Sequence, residues 1–211
     1  MTTAIIGLGN IGGRLAANLA RGGEPLLLAS RDPEQAQKEA SRVGGGARAV
    51  TVDEAVDQAD VLVLAVWFDT IKELIGVWGD RLDGTIVVDP SNPITADGKG
   101  GFRKTLPEDE SSGTVIASLL PDGARLVKAF GTLTADTLGE AAHRAPPLAV
   151  GFYATDDRAA GDTVAGLIRT AGFDPVPVGG IDQSIRIEVF GDLHESNLGS
   201  PLTKSEATAH L

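Results

Sequence analysis

The sequence predicts an α/β fold: one compact domain built on a doubly wound, mostly parallel sheet with helices on both faces. Three observations predict it. Short apolar runs alternate with stretches whose apolar residues recur at helical spacing, the pattern of repeated strand–helix–strand units. The strand runs are apolar at successive positions rather than at every second one, as in strands buried on both faces. The first run also ends directly in a glycine-rich turn that opens the first helix, the arrangement of a Rossmann-type fold.

Thr3 to Ile6 is the first strand, stopped by glycine. Leu15, Leu19 and the alanines between them place a helix up to Gly22-Gly23. Pro25 to Ala29 is a second strand. Arg31-Asp32-Pro33 opens a second helix, with Pro33 suited to its first turn, and that helix ends at Gly44-Gly45-Gly46. Ala47 to Val50 is a short third strand and Val52 to Gln58 a helical turn. Val61 to Val66, apolar throughout, is the strongest strand of the chain. Ile71 to Trp78 has helical spacing, and Gly84 to Val88 is a fifth strand.

Asp89 to Glu110 lacks periodicity and is rich in Gly, Pro and Asp, as long functional loops often are. A helix is expected at Ser112 to Leu120, strands at Arg125 to Phe130 and Leu148 to Tyr153, a helix at Asp157 to Ala171 and a last strand at Phe173 to Val178. At about 150 residues per domain, the 211 residues make one unit over 1–180, and residues 181–211 an extension packed on it or on a dimer partner.

Composition removes several functions. The net charge of −11 argues against nucleic acid or an anionic membrane as partner. The longest apolar run, Val61 to Phe68, is eight residues, where a membrane helix needs about 20. The start Met1-Thr2-Thr3 has no basic n-region or h-region, so no signal peptide is expected and the protein is read as cytoplasmic. Cysteine is absent, which excludes thiol nucleophiles and thiolate metal sites. With only His143, His194 and His210, no metal site is expected.

In a parallel sheet of this type ligands bind beyond the carboxyl ends of the strands, so the loops after Ile6, Ala29, Val66, Val88 and Phe130 are the ones that matter. Gly7-Leu8-Gly9-Asn10-Ile11-Gly12 is G-x-G-x-x-G between a strand and a helix. Its first glycine permits the tight turn, the second lets a pyrophosphate approach the backbone, and the third lets helix and strand pack closely. The N–H groups of Leu8 to Gly12 then face an anion at the positive end of the helix. The second strand ends Ala29-Ser30-Arg31, with no carboxylate at its tip for a ribose hydroxyl. Ser30 and Arg31 suit a 2′-phosphate instead, which favours NADP(H) over NAD. In the competing reading Arg31 merely starts a solvated helix and pairs with Glu34 or Gln35.

Other residues carry two readings each. Asp89 either orients nicotinamide or protonates a substrate, or it caps the turn from Pro90 to Pro93. Asn92 either bonds a carboxamide or serves the turn. Lys128, inside an apolar strand, is either functional or paired with a neighbouring carboxylate. His194 is either a proton relay or structural. Trp67 is either an aromatic wall against cofactor or substrate, or packing under the next helix.

Taken in order, Gly7 to Gly12, Ser30-Arg31, Val63 to Trp67, Val87-Val88-Asp89-Pro90, Val127-Lys128-Ala129-Phe130 and Gly172-Phe173-Asp174-Pro175 resemble the NADPH-dependent coenzyme F420 oxidoreductases. The resemblance runs to about residue 187. It implies a compact Rossmann-type enzyme, commonly a homodimer, that passes hydride between nicotinamide and the deazaflavin F420. It also implies that Ser30 and Arg31 bind the 2′-phosphate and that Ala65, Val66 and Trp67 line the riboses. Asp89, Pro90, Ser91 and Asn92, up to Pro93, and Ala129 and Phe130, up to Thr132, are implied as the walls of the nicotinamide site.

Hydride transfer between two cofactors needs positioning and a dry site rather than acid–base groups, so no catalytic residue is singled out. The only tyrosine, Tyr153, has Asp157 four residues on, so a Tyr-x-x-x-Lys pair is absent. Three functions stay open: an NADP(H) oxidoreductase whose partner is F420, an NADPH-dependent reductase of another small molecule such as an imine, ketone or quinone, and an NADP(H) sensor without turnover.

Overall fold

A computed structural model describes residues 1–211. Strands β1 (Thr3–Ile6), β2 (Leu26–Ala29), β3 (Arg48–Ala49), β4 (Val61–Leu64) and β5 (Ile86–Asp89) alternate with helices α1 (Asn10–Arg21), α2 (Pro33–Val43), α3 (Val52–Gln58) and α4 (Phe68–Trp78). A two-stranded hairpin, β6 (Ile94–Ala96) and β7 (Phe102–Lys104), follows. Then come α5 (Ser112–Leu119), β8 (Arg125–Ala129), α6 (Ala135–Glu140), β9 (Val150–Ala154), α7 (Arg158–Thr170) and β10 (Asp174–Gly179). The chain ends in a 3-10 segment (Ile181–Ile187) and two short helices, α8 (Glu195–Leu198) and α9 (Lys204–Ala207).

Eight strands form one sheet in the order β10-β9-β8-β5-β4-β1-β2-β3. Six run parallel. β9 pairs antiparallel with β8, and β10 is parallel to β9, so the last two strands are reversed. The doubly wound, mostly parallel sheet read from the sequence is therefore the observed one.

Period-two alternation builds both faces at once. Val61 and Val63 of β4 join one core, with Leu15 and Leu19 of α1 and Val164, Leu167 and Ile168 of α7. Leu62 and Leu64 join the other, with Phe68, Ile71 and Ile75 of α4 and Ile116 of α5. A third, smaller cluster seats the chain end: Ile187, Leu193 and Ala207 pack on Val150, Phe152 and Val176.

Local signals set the helix starts. Asp32 accepts the Glu34 N–H (3.0 Å) ahead of Pro33. Thr51 and Glu54 form a reciprocal capping box, and Asp157 accepts the Ala160 N–H (2.8 Å) at α7. Such caps occupy backbone donors that a helix leaves free. No helix is long and apolar enough to cross a membrane.

The segment Asp89 to Glu110 is more ordered than its composition suggests. Its hairpin closes around Asp97, whose Oδ1 accepts the N–H groups of Lys99 (2.7 Å) and Gly101 (2.9 Å). Strands of three residues are too short to show a period, which is why the sequence hides them.

Candidate functional site

The parallel strands end level with one another. Ile6 is in register with Ala29 and Leu64, Val63 with Val88, and Asp89 with Lys128. The loops after β1, β2, β4, β5 and β8 therefore leave the sheet at one edge.

In the first loop the three glycines have different reasons to be glycine. Gly7 has φ +92°, and a Cβ there would sit 2.5 Å from the Ala65 carbonyl oxygen. At Gly12 a Cβ would come within 1.8 Å of the Gly7 oxygen, so α1 lies directly against the turn. At Gly9 a Cβ would meet nothing within 4 Å: the backbone is bare toward open space. The N–H groups of Asn10, Ile11 and Gly12 make no hydrogen bond within the protein, and the helix's first turn holds no acidic side chain. Three free donors at the positive end of a 12-residue helix, beside a glycine that leaves room, make a seat for a phosphate.

The second loop is tied to the first. Gln35 donates from Nε2 to the Leu8 carbonyl (3.2 Å) and accepts the Ser30 hydroxyl at Oε1 (2.6 Å). Gln35 thus fixes Ser30 relative to the glycine loop, a role with no signal in the sequence. Asp32 turns into its helix cap. Arg31 is exposed and forms no ion pair or hydrogen bond in the protein, so it pairs with neither Glu34 nor Gln35. After β4, Ala65 and Val66 pack on Gly7 and Gly12. Trp67, at the start of α4, is 63% exposed and does not pack under that helix.

The loops after β5 and β8 meet over a buried charge cluster. Lys128 Nζ donates to Asp89 Oδ2 (2.7 Å), to Ser112 Oγ (2.7 Å) and to the Ser91 carbonyl. Glu188 Oε1 lies 3.7 Å from the ammonium. Glu188 also accepts the Ser112 hydroxyl (2.8 Å) and the N–H groups of Ser112 (3.1 Å) and Gly113 (3.1 Å), so it sits on the N-terminus of α5. Asp89, Ser112, Lys128 and Glu188 are all buried. Asp89 Oδ1 accepts the Ser91 N–H (2.7 Å), which caps the turn. Lys128 is thus paired with Asp89, and both oxygens of the Asp89 carboxylate accept hydrogen bonds within the cluster. Glu188, the second carboxylate, belongs to no motif in the sequence. Its one signal there is a charge inside the apolar run Ile187-Glu188-Val189.

Asn92 is a bridge. Its Nδ2 donates to the Gly131 carbonyl (3.0 Å) and its Oδ1 accepts the Val189 N–H (2.7 Å). It joins the loop after β5 to the loop after β8 and to the C-terminal extension. Pro90 packs into the same junction, where its carbonyl lies 2.7 Å from the place of a Cβ on Gly131. Ala129 and Phe130 are buried, and Phe130 has a left-handed backbone, φ 66°. Two buried hydroxyls here, Ser91 Oγ and Thr132 Oγ1, have no partner in the protein.

His194 lies against this junction and caps the start of α8. It is buried, and its Nδ1 accepts the Ser196 N–H (3.1 Å) at the start of α8. Burial pushes its pKa below the ordinary 6.5, opposed by the Glu195 charge and the Gly131 backbone. The unfolded chain therefore takes up the proton first as pH falls. The stability from neutral His194 is fully present above pH 6.5 and is lost as pH drops from 6.5 toward the folded value. Denaturant titrations at several pH values should show this slope, and His194→Asn, which keeps a capping side chain, should flatten it. An unchanged slope in the variant would assign the pH dependence elsewhere.

Comparison with known proteins places this edge in context. Residues 2–93 match the family model described as NADP oxidoreductase, coenzyme F420-dependent. The chain is similar to the F420-dependent NADP reductase of Methanothermobacter marburgensis, 30% identical over 148 residues, 65% of this chain and 66% of that one. It is 29% identical over 199 residues to the F420-dependent NADP reductase of Methanothermobacter thermautotrophicus, covering 89% of this chain and 85% of that one. Among solved structures, a hypothetical protein, SMa0349, from Sinorhizobium meliloti superposes with TM-score 0.85 at 32% identity, over 97% of this chain and 96% of that one.

Proposed function

This chain belongs to the family of coenzyme F420-dependent NADP oxidoreductases, and from that premise we propose that it carries hydride between NADP(H) and the deazaflavin coenzyme F420. The observation that carries the reading is the strand edge itself. It joins a phosphate seat with three free N–H donors to a hydroxyl–guanidinium pair with no competing carboxylate. The family match ends at Pro93 and so includes every one of these features.

In this reading the N–H groups of Asn10, Ile11 and Gly12 hold the pyrophosphate, with Gly9 giving it room and Gly7, Leu8 and Gly12 shaping the loop. Ser30 and Arg31 hold the 2′-phosphate. Ala65, Val66 and Trp67 flank the riboses. The turn Pro90-Ser91-Asn92, with Asp89 as its internal cap, and Ala129-Phe130 wall the nicotinamide end. When bound, the reduced nicotinamide supplies the hydride. The protein's task is to fix two rings face to face and keep water out, and the buried cluster under the turn serves that by making it rigid. Lys128, Asp89 and Glu188 are engaged with one another, so no proton relay is assigned to them. Residues 181–211 form part of the acceptor side in this reading, through Val189 on Asn92. A cytoplasmic homodimer completes it, to be checked by sedimentation.

The test mixes the protein with NADPH and oxidised F420 and follows both absorbances. Loss of both supports the reading. NADPH that binds without being oxidised by F420 removes F420 as the acceptor. Arg31→Ala should weaken NADPH binding by about 10- to 100-fold, the worth of one or two hydrogen bonds between charged groups. NADH binding should change little. Equal losses for the two nucleotides would take the 2′-phosphate away from Arg31.

A further inference from the structure

We propose that Phe190 is the aromatic face on which the ring system of the hydride acceptor rests, and that the chain accepts a strained backbone there to present it. The proposal deepens the deazaflavin reading above and rests on it.

Phe190 has φ 75°. The Gly191 N–H donates to the Glu188 carbonyl (2.8 Å), which closes a four-residue turn with Val189 and Phe190 at its centre. A positive φ at the second central position is the place glycine takes in a type II turn. This chain has glycine at twelve other left-handed positions, yet keeps phenylalanine at this one. A bulky residue there is strained, and such strain persists only where the surroundings over-determine it.

The surroundings do so here. Glu188, the first residue of the turn, is held by three hydrogen bonds at the N-terminus of α5. Val189 is held by Asn92. The carbonyls of Phe190 and Gly191 both accept from Asn197 Nδ2 (2.9 Å each). A Cβ on Gly191 would lie 2.3 Å from the Ile185 carbonyl oxygen, so the turn cannot slide. Yet the side chain these contacts support is itself 50% exposed. Packing therefore does not explain why it is phenylalanine. The other strained phenylalanine, Phe130, precedes Gly131, whose carbonyl is the second partner of Asn92. One amide thus fixes the neighbours of both, at the junction of the loops after β5 and β8. A flat, conjugated, redox-active ring stacks favourably on a rigid aromatic surface of this kind.

Phe190→Gly separates strain from contact. It should raise the melting temperature by a few degrees, because glycine relieves the left-handed strain. It should leave NADPH affinity unchanged. Equilibrium titration of the protein–NADP complex with oxidised F420, read by deazaflavin fluorescence, should show about tenfold weaker binding, the worth of one lost stacking contact. Phe190→Trp keeps a ring and should retain binding, whereas Phe190→Leu keeps only apolar bulk and should lose most of it. F420 binding that survives in both Phe190→Gly and Phe190→Leu overturns the assignment while leaving the deazaflavin reading in place. Dissociation of a dimer in Phe190→Gly with F420 affinity intact also overturns it, giving the side chain to a subunit contact. A wild-type chain that binds NADPH but no F420 overturns the choice of acceptor and this assignment together.

Discussion

Lys128→Met is expected to lower the unfolding free energy by about 3–5 kcal/mol, the cost of removing one partner from a buried ion pair. For a chain of this size that corresponds to a melting temperature lower by on the order of 10 °C. The reason is the charge balance of the cluster. Asp89 and Glu188 are both buried, with Lys128 the one cation within reach of them. Glu188 has three donors from the start of α5 besides the lysine. Asp89 has the Ser91 N–H and a long contact with the Ser112 hydroxyl (3.3 Å). Asp89 should therefore suffer most when the lysine goes. In Lys128→Met the Ser91 carbonyl also loses its donor, and with it the turn that carries Asn92. Denaturant unfolding of Lys128→Met, Asp89→Asn and the double variant decides the matter. The double variant should be less destabilised than the sum of the singles, because the second change removes the charge that the first left unpaired. Strict additivity would mean that Lys128 contributes through packing alone.

The same cluster shows where a sequence stops being legible. Lys128 stood out because a charge inside an apolar strand has to be accounted for, and Asp89 because it ends one. Their pairing follows once β5 and β8 are neighbours, since Asp89 and Lys128 are directly in register. The glycine loop and the strand–helix alternation were readable for a related reason: turn chemistry and hydrophobic period act over a few residues. Glu188 was not readable. It meets the start of α5 across 76 residues of chain, and nothing near it in sequence records the meeting. Asn92 is similar. In the sequence it carries two readings, a carboxamide partner or turn chemistry, and only the fold shows that its amide reaches Gly131 and Val189, 39 and 97 residues away. Phe190 gave no sign because phenylalanine is not a turn residue. Its left-handed backbone is imposed by contacts on either side of it, against its own preference. The legible half of the proposed site is the nucleotide half, built from local motifs. The proposed acceptor half is assembled from distant segments, and there the sequence leaves its alternatives open.

Gly9→Ala and Gly12→Ala, three residues apart in one motif, should fail in opposite ways. At Gly12 a methyl group would lie 1.8 Å from the Gly7 carbonyl oxygen and 3.0 Å from Ala65 Cβ. Neither the turn nor α1 can move without disturbing the strand edge, so Gly12→Ala should lose at least about 3 kcal/mol of stability, the upper part of the range for overpacking. Loss of NADPH binding would follow from that distortion and would say little about contact. At Gly9 a methyl group meets nothing, and φ is an ordinary −79°. Gly9→Ala should therefore fold with a loss of about 1 kcal/mol or less, the small difference between glycine and alanine at a helix cap. Its methyl group nevertheless stands beside the free N–H groups of α1, in the space a pyrophosphate needs in order to reach them. NADPH affinity should fall by at least about tenfold, or 1.4 kcal/mol, in a protein whose melting curve is nearly that of the parent. Calorimetric titration beside thermal unfolding measures both quantities on one sample. If Gly9→Ala binds NADPH as the parent does, the phosphate does not sit on the start of α1, and the open space at Gly9 has another use. If affinity falls while stability holds, contact is separated from folding, and the three unpaired donors are the anion seat.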